Sequence, residues 1–159
     1  MLSPEDTGGI GMSEDRLSIL IVEDDIALSQ VYREYLSRDF QVDKAHSIRE
    51  AQKYIKEHPY HIILLDIGLG NEKNGGFFLL SHIKEHLPEV YVVMLSGRDD
   101  TQTIRSALTF GAHDFVSKSH EDHAILERIK AIAREIKSRQ SRRHEVLRAM
   151  PGKEIITED

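Results

Sequence analysis

Three apolar runs constrain this chain more than any other feature: Ile19-Leu20-Ile21-Val22, Ile62-Ile63-Leu64-Leu65 and Val92-Val93-Met94-Leu95. Each is one strand long, and none alternates apolar with polar residues. Strands of that kind are buried on both faces, as in a parallel sheet covered by helices. Between them the apolar period changes to that of a helix. Leu28, Val31, Tyr32, Tyr35 and Leu36 follow the first run, and Leu79, Leu80, Ile83 and Leu87 follow the second, with Pro88 just beyond the helix end. Ile104, Ala107 and Leu108 follow the third, and Gly111 suits a C-terminal cap.

Two weaker strands complete the alternation, Phe40 to Ala45 and Asp114 to Ser117. Ser47 with Glu50 is a capping-box signature and opens a helix marked by Ile48, Ala51 and Ile55. Ile125, Ile129, Ile132 and Ile136, flanked by Leu126 and Ala133, form the longest stripe, and that helix is expected to run on past Lys137. Five βα units with short connections predict an α/β domain, a doubly wound parallel sheet with five helices. The 159 residues suffice for one such domain. We expect a mobile tail over 1–16, the domain over 17–138, and a helix extension with a polar tail over 139–159.

No apolar run approaches the roughly 20 residues of a membrane span, and the N-terminus has no secretory pattern. The chain has no cysteine, so disulfide and thiol chemistry are excluded and a reducing compartment is expected. Its net charge of −6 argues against nucleic-acid binding by the main body. Arg134, Lys137, Arg139, Arg142, Arg143 and Arg148 make the last helix locally basic, and cations there suit the helix dipole as readily as a partner. The pairs His82 and His86, and His120 and His123, are read as ordinary surface histidines.

In a doubly wound sheet, sites form where the strands end. Glu23, Asp24 and Asp25 follow the first strand, Asp66 closes the third, Ser96 and Gly97 follow the fourth, and Lys118 follows the fifth. Glu23, Asp24 and Asp66 on one rim would repel one another, so either one is protonated or a divalent cation joins them. Oxygen ligands at an open rim suit Mg²⁺. A carboxylate nucleophile attacking phosphorus needs the phosphoryl oxygens neutralised, and a cation, Lys118 and the Ser96 hydroxyl could each take one. The blander reading of each residue is a helix cap, a dipole partner or a surface lysine. Four strand ends that all supply the needed residue type weigh against it.

With these residues the sequence resembles the receiver domain of bacterial response regulators. The resemblance runs from Leu17 to about Lys137 and rests on Ile19 to Asp25, Ile62 to Asp66, Val92 to Gly97 and Gly111 to Lys118, in that order. It implies a flavodoxin-like sheet in the order 2-1-3-4-5 and a cytoplasmic phosphoacceptor. Asp66 would take phosphate from a histidine kinase or a histidine phosphotransfer protein. Glu23, Asp24, Asp66 and the backbone carbonyl of Gly68 would hold Mg²⁺, or Mn²⁺ in its place. Ser96 and Phe115 would form a switch, and the face made by the fourth helix, fifth strand and fifth helix would carry the change to a protein target, an output domain or a second copy of the chain.

Three departures from the family pattern stand out. Ser119 replaces the usual proline after the lysine, so a trans Lys118-Ser119 bond is expected, because a cis non-proline bond costs about 2.5–4 kcal/mol. The loop from Gly68 to Gly76 is about two residues longer than is usual in the family, which should make Asn71, Glu72, Lys73 and Asn74 protrude. Gly68 lacks the side chain that many relatives carry there. Alternative readings are a receiver cut from a longer protein with an enzymatic or DNA-binding output, and a metal-dependent phosphatase using Asp66. The phosphatase would need a further acid–base residue, and Ile67 and Gly68 offer none.

Overall fold

The computed structural model describes residues 16–69, 75–97, 101–118 and 122–149. Expectations for the N-terminal tail, Asn71 to Asn74, the Lys118-Ser119 bond, His120 and the segment after Ala149 fall outside these residues. Strands β1 (Ser18–Val22), β2 (Gln41–Ala45), β3 (Ile62–Asp66), β4 (Tyr91–Ser96) and β5 (Asp114–Ser117) alternate with helices α1 (Ile26–Leu36), α2 (Ile48–Glu57), α3 (Gly75–His86), α4 (Thr101–Thr109) and α5 (Asp122–Ala149). The sheet is parallel throughout, in the order β2-β1-β3-β4-β5. This is the predicted doubly wound architecture.

Burial explains the apolar runs. Every residue of β3 is buried, and β1 and β4 are buried after their first residue, whereas edge strand β2 alternates and buries only Ala45 fully. Alternate residues of the central strands feed two cores. Leu20, Ile63, Leu65, Val92 and Met94 pack on the face covered by α2, α3 and α4. Ile19, Ile21, Leu64, Val93 and Leu95 face α1 and α5, where Tyr32, Leu36, Ile125, Ile129, Ile132 and Ile136 close the layer. The stripe on α5 is therefore the core face that its spacing implied. Past Ile136 the helix continues unbroken to Ala149 with every residue exposed. Tyr35 and Leu108, which share the helical period of their neighbours, lie on the outer faces.

The local signals act mostly as expected. Ser47 Oγ accepts from the Glu50 N–H at 3.0 Å, while the Glu50 carboxylate reaches one residue beyond a standard box and accepts from His46 N–H at 2.6 Å. α4 closes in a Schellman turn, with Gly111 at φ 103° and the Ala112 N–H on the Ala107 carbonyl at 3.0 Å. Only glycine takes that backbone without strain.

Candidate functional site at the carboxyl ends of the strands

Parallel pairing brings the ends of β1, β3, β4 and β5 to one rim. Asp66 pairs with Leu95, Ser96 with Ser117, and the Lys118 N–H donates to the Ser96 carbonyl at 2.7 Å. Glu23 continues β1, its N–H bonded to the Ala45 carbonyl at 3.0 Å. Carboxylate oxygens of Glu23, Asp24 and Asp66 all lie within 4.8 Å of one another. The three acids singled out by their strand-end positions thus form one cluster. Asp25 does something else: its side chain accepts from the Leu28 N–H at 3.0 Å and caps α1. The cap reading holds for Asp25 and not for its two neighbours.

The acids are not equivalent. Glu23 and Asp66 are buried, at 1% and 5% exposure, and Asp24 is exposed. Lys118 lies between the buried pair, with Nζ 2.7 Å from Glu23 Oε1 and 3.3 Å from Asp66 Oδ1. Sequence reasoning offered a protonated acid or a cation as relief from the repulsion, and the structure adds this ammonium. Relief is incomplete. Burial first, and the Asp66 charge after the opposing Lys118 bond, push the Glu23 carboxyl up to about 7. Burial pulls the Lys118 ammonium down, but its bond to Glu23 and the charges of Glu23 and Asp66 outweigh it, and its pKa stands above the ordinary value.

The backbone around Asp66 is held closely. Its Oδ1 accepts from the Gly68 N–H at 3.1 Å, and the Ile67 and Gly76 N–H groups bond to the Leu95 and Ile67 carbonyls at 2.9 and 2.8 Å. A Cβ on Gly76 would collide with the Asp66 carbonyl oxygen, and one on Gly75 with that of Leu69. These two glycines let α3 start directly against the strand exit. They are the site-shaping residues that sequence reasoning passed over, although a glycine pair opening a helix is a readable signal of close backbone approach. Gly68 and Gly97 are different, since a Cβ on either would meet open space. His46 was also missed. Its Nδ1 lies 3.1 Å from the Glu23 carbonyl oxygen and braces the turn after β1.

Ser96 is buried on the rim, and Phe115 is half-buried on β5, packed against the α2–α3–α4 core opposite Met94. The His82 and His86 rings lie 4.4 Å apart on α3, tilted to one another, with no third ligand beside them among the described residues. The buried carboxylates, the high Glu23 pKa and the hard oxygen donors fit a Mg²⁺-sized divalent cation. A buried carboxylate beside an ammonium can act as a nucleophile toward an electrophile whose negative charge that ammonium offsets.

Residues 19–130 match the family described as response regulator receiver domain. The transcriptional regulatory protein KdpE of Staphylococcus aureus is 34% identical over 77% of this chain and 52% of its own length. The transcriptional regulatory protein GltR of Pseudomonas aeruginosa is 32% identical over 86% of this chain and 57% of its own. The chain thus spans about half the length of the curated relatives it matches. A CheY-like receiver domain protein of Methanospirillum hungatei superposes with a TM-score of 0.71 at 25% identity, over 78% of this chain and 98% of that one.

Proposed function

This chain belongs to the response regulator receiver domain family, and on that premise we propose that Asp66 is the phosphoacceptor of a two-component phosphorelay. The observation that carries the reading is the buried Asp66 carboxylate with Lys118 Nζ 3.3 Å away and Glu23 and Asp24 beside it. A carboxylate oxygen of Asp66 attacks the phosphorus of a phosphohistidine. The P–N bond breaks as the O–P bond forms, and the electron pair returns to the imidazole of the kinase or phosphotransfer protein. Glu23, Asp24, Asp66 and the Gly68 carbonyl would hold Mg²⁺ or Mn²⁺, which when bound neutralises charge on the transferring group. Lys118 keeps a positive charge at the oxygen of Asp66 where negative charge gathers.

The switch runs through Ser96 and Phe115 to the α4–β5–α5 face, which docks a protein target, an output domain or a second copy of the chain. The Lys118–Ser96 backbone bond supports this, because it ties the site to both β4 and β5. The receiver proper spans 17–138, in keeping with α5 making its last buried contact at Ile136, and 139–159 is an extension. The protein works in the cytoplasm, where a kinase presents its phosphohistidine. It turns over its own phosphoryl group and no separate substrate.

Acetyl phosphate with Mg²⁺, read by intact mass, should add one phosphoryl group to the wild type and none to Asp66→Asn or to wild type in EDTA. Equal labelling of Asp66→Asn would remove the assignment, and rapid turnover of a small phosphoester would favour the phosphatase reading. A second reading is favoured by KdpE and GltR, which are named transcriptional regulatory proteins and extend well beyond the matched segment. In it the receiver serves an enzymatic or DNA-binding output domain, and the reading frame after Asp159 decides the matter.

A further inference from the structure

The opposite pole of the sheet carries a second concentration of polar side chains. A cleft of about 580 Å³ opens at the amino ends of β3, β4 and β5 and is walled on one side by α5. That volume is in the range of small-molecule sites. Pro88, Val90 and Ile136 give it an apolar part. Most of the polar groups that line it are hydrogen-bond donors, although the Gln140 amide can also accept and the Tyr60 hydroxyl already donates to Asp43.

His61 and His113 occupy matching positions, each in the turn just before a strand. His61 Nδ1 accepts from the Ser18 N–H at 3.0 Å, and His113 Nδ1 accepts from the Val92 N–H at 3.1 Å. Both rings are thereby fixed in the tautomer that carries its proton on Nε2. Burial holds both pKa values below the ordinary range, with Lys84 and Arg139 adding to the effect at His113. The Tyr91 ring stacks on His113 at 4.4 Å, and the Arg139 guanidinium rests over it at 5.6 Å from the ring centre. The Tyr91 hydroxyl is buried with no hydrogen-bond partner among the described residues. An orphaned buried hydroxyl is costly, so it marks a place where an acceptor belongs. Arg139 is anchored from below by Glu135 at 2.8 Å, which leaves most of its five N–H donors available. Arg143, one turn further along α5, forms no ion pair among the described residues and also lines the cleft. Glu89 is the one acid in the lining.

We propose that this cleft binds a small organic oxyanion, a compact molecule whose phosphate, phosphonate or carboxylate group is taken by Arg139, Arg143 and the Tyr91 hydroxyl and whose apolar part lies against Pro88, Val90 and Ile136. Guanidinium forks match such oxyanions in charge and shape. The contact with the Tyr91 ring and the Glu135 bond bias the Arg139 fork toward the cleft, which reduces the freedom it loses on binding. The site is independent of Asp66, and the inference stands whether or not Asp66 is a phosphoacceptor.

Phenylphosphonate is the probe, because its C–P bond cannot donate a phosphoryl group to Asp66. It is titrated into the full chain without divalent cations and followed by amide NMR shifts, with inorganic phosphate as the arm that lacks the apolar part. The expected result is saturable shifts around His61, Tyr91, His113 and residues 139–143, tighter for phenylphosphonate than for phosphate. Arg143→Ala, an exposed change that leaves the core untouched, should weaken binding about tenfold. Tyr91→Phe, which keeps the ring stack and removes the orphaned hydroxyl, should weaken it less. The proposal is overturned if no shifts appear up to about 10 mM, if they appear only around Asp66 and Lys118, or if Arg143→Ala binds like the wild type.

Discussion

The two poles of one sheet bury ionisable groups by opposite means. At the carboxyl ends Glu23 and Asp66 are buried as acids, and Lys118 offsets them as a charge. At the amino ends His61 and His113 are held neutral and spend one ring nitrogen on a backbone N–H. A charged pole stays poised and incompletely satisfied, as Glu23 pushed up to about 7 records. At the neutral pole the two imidazoles are satisfied locally, and the cations Arg139 and Arg143 stay on the rim. Paired buried charge is weak ground for stability but a suitable setting for chemistry that changes charge.

The largest test of this contrast is Lys118→Ala. It leaves two buried carboxylates facing each other and should lower unfolding free energy by about 3 kcal/mol in cation-free buffer. Asp66→Asn should move stability the other way, since it removes one of the two like charges. Chemical denaturation of the pair checks the sign, and a Lys118→Ala chain as stable as wild type would show that its ion pairs hold nothing together. Next comes Gly76→Ala, whose Cβ meets the Asp66 backbone. Overpacking of that kind should cost about 2 kcal/mol and slow labelling of Asp66. Gly97→Ala, which meets open space, should leave both nearly unchanged.

The neutral pole is probed by pH. The folded-state pKa of His61 and of His113 lies below the ordinary value of 6.5. Between the two values the unfolded chain binds more protons than the folded one. The contribution of these two histidines to stability is therefore full above about pH 6.5, falls as pH drops through the gap, and levels off below the folded pKa values, while Glu23, raised to about 7, contributes with the opposite sign. His61→Asn with His113→Asn keeps an acceptor near each Nδ1 and should flatten that part of the profile, read as the denaturation midpoint between pH 8 and pH 5. The smallest effect belongs to the surface pair Arg128 and Asp114 at 2.7 Å. Arg128→Ala should cost about 0.5 kcal/mol at either pole's expense, and less in high salt.

The same contrast explains what could be read from the sequence. β1, β3 and β4 were legible because strands buried on both faces need unbroken apolar runs, and α5 because its isoleucines recur every turn. Residue types at the carboxyl ends were legible because a doubly wound sheet gathers those ends at one place. Which oxygen Lys118 meets was not, since residue type does not fix the reach of a side chain among three acids. The end of α1's polar start was readable only as an ambiguity, and the Asp25 cap resolves it. The amino-end cleft went unread because His61, Tyr91 and His113 are far apart in sequence, and Arg139 joins them only because α5 continues past its apolar stripe.

The measurement that bears most directly on Asp66 is chemical mapping of the phosphoryl linkage. The chain is treated with acetyl phosphate and Mg²⁺, reduced with borohydride, digested and sequenced by mass spectrometry. An aspartyl phosphate is reduced to homoserine, so the account predicts homoserine at position 66 and at no other position. Homoserine at Asp24 or Asp25, or a phosphoryl group that survives reduction on a serine or histidine, would contradict it.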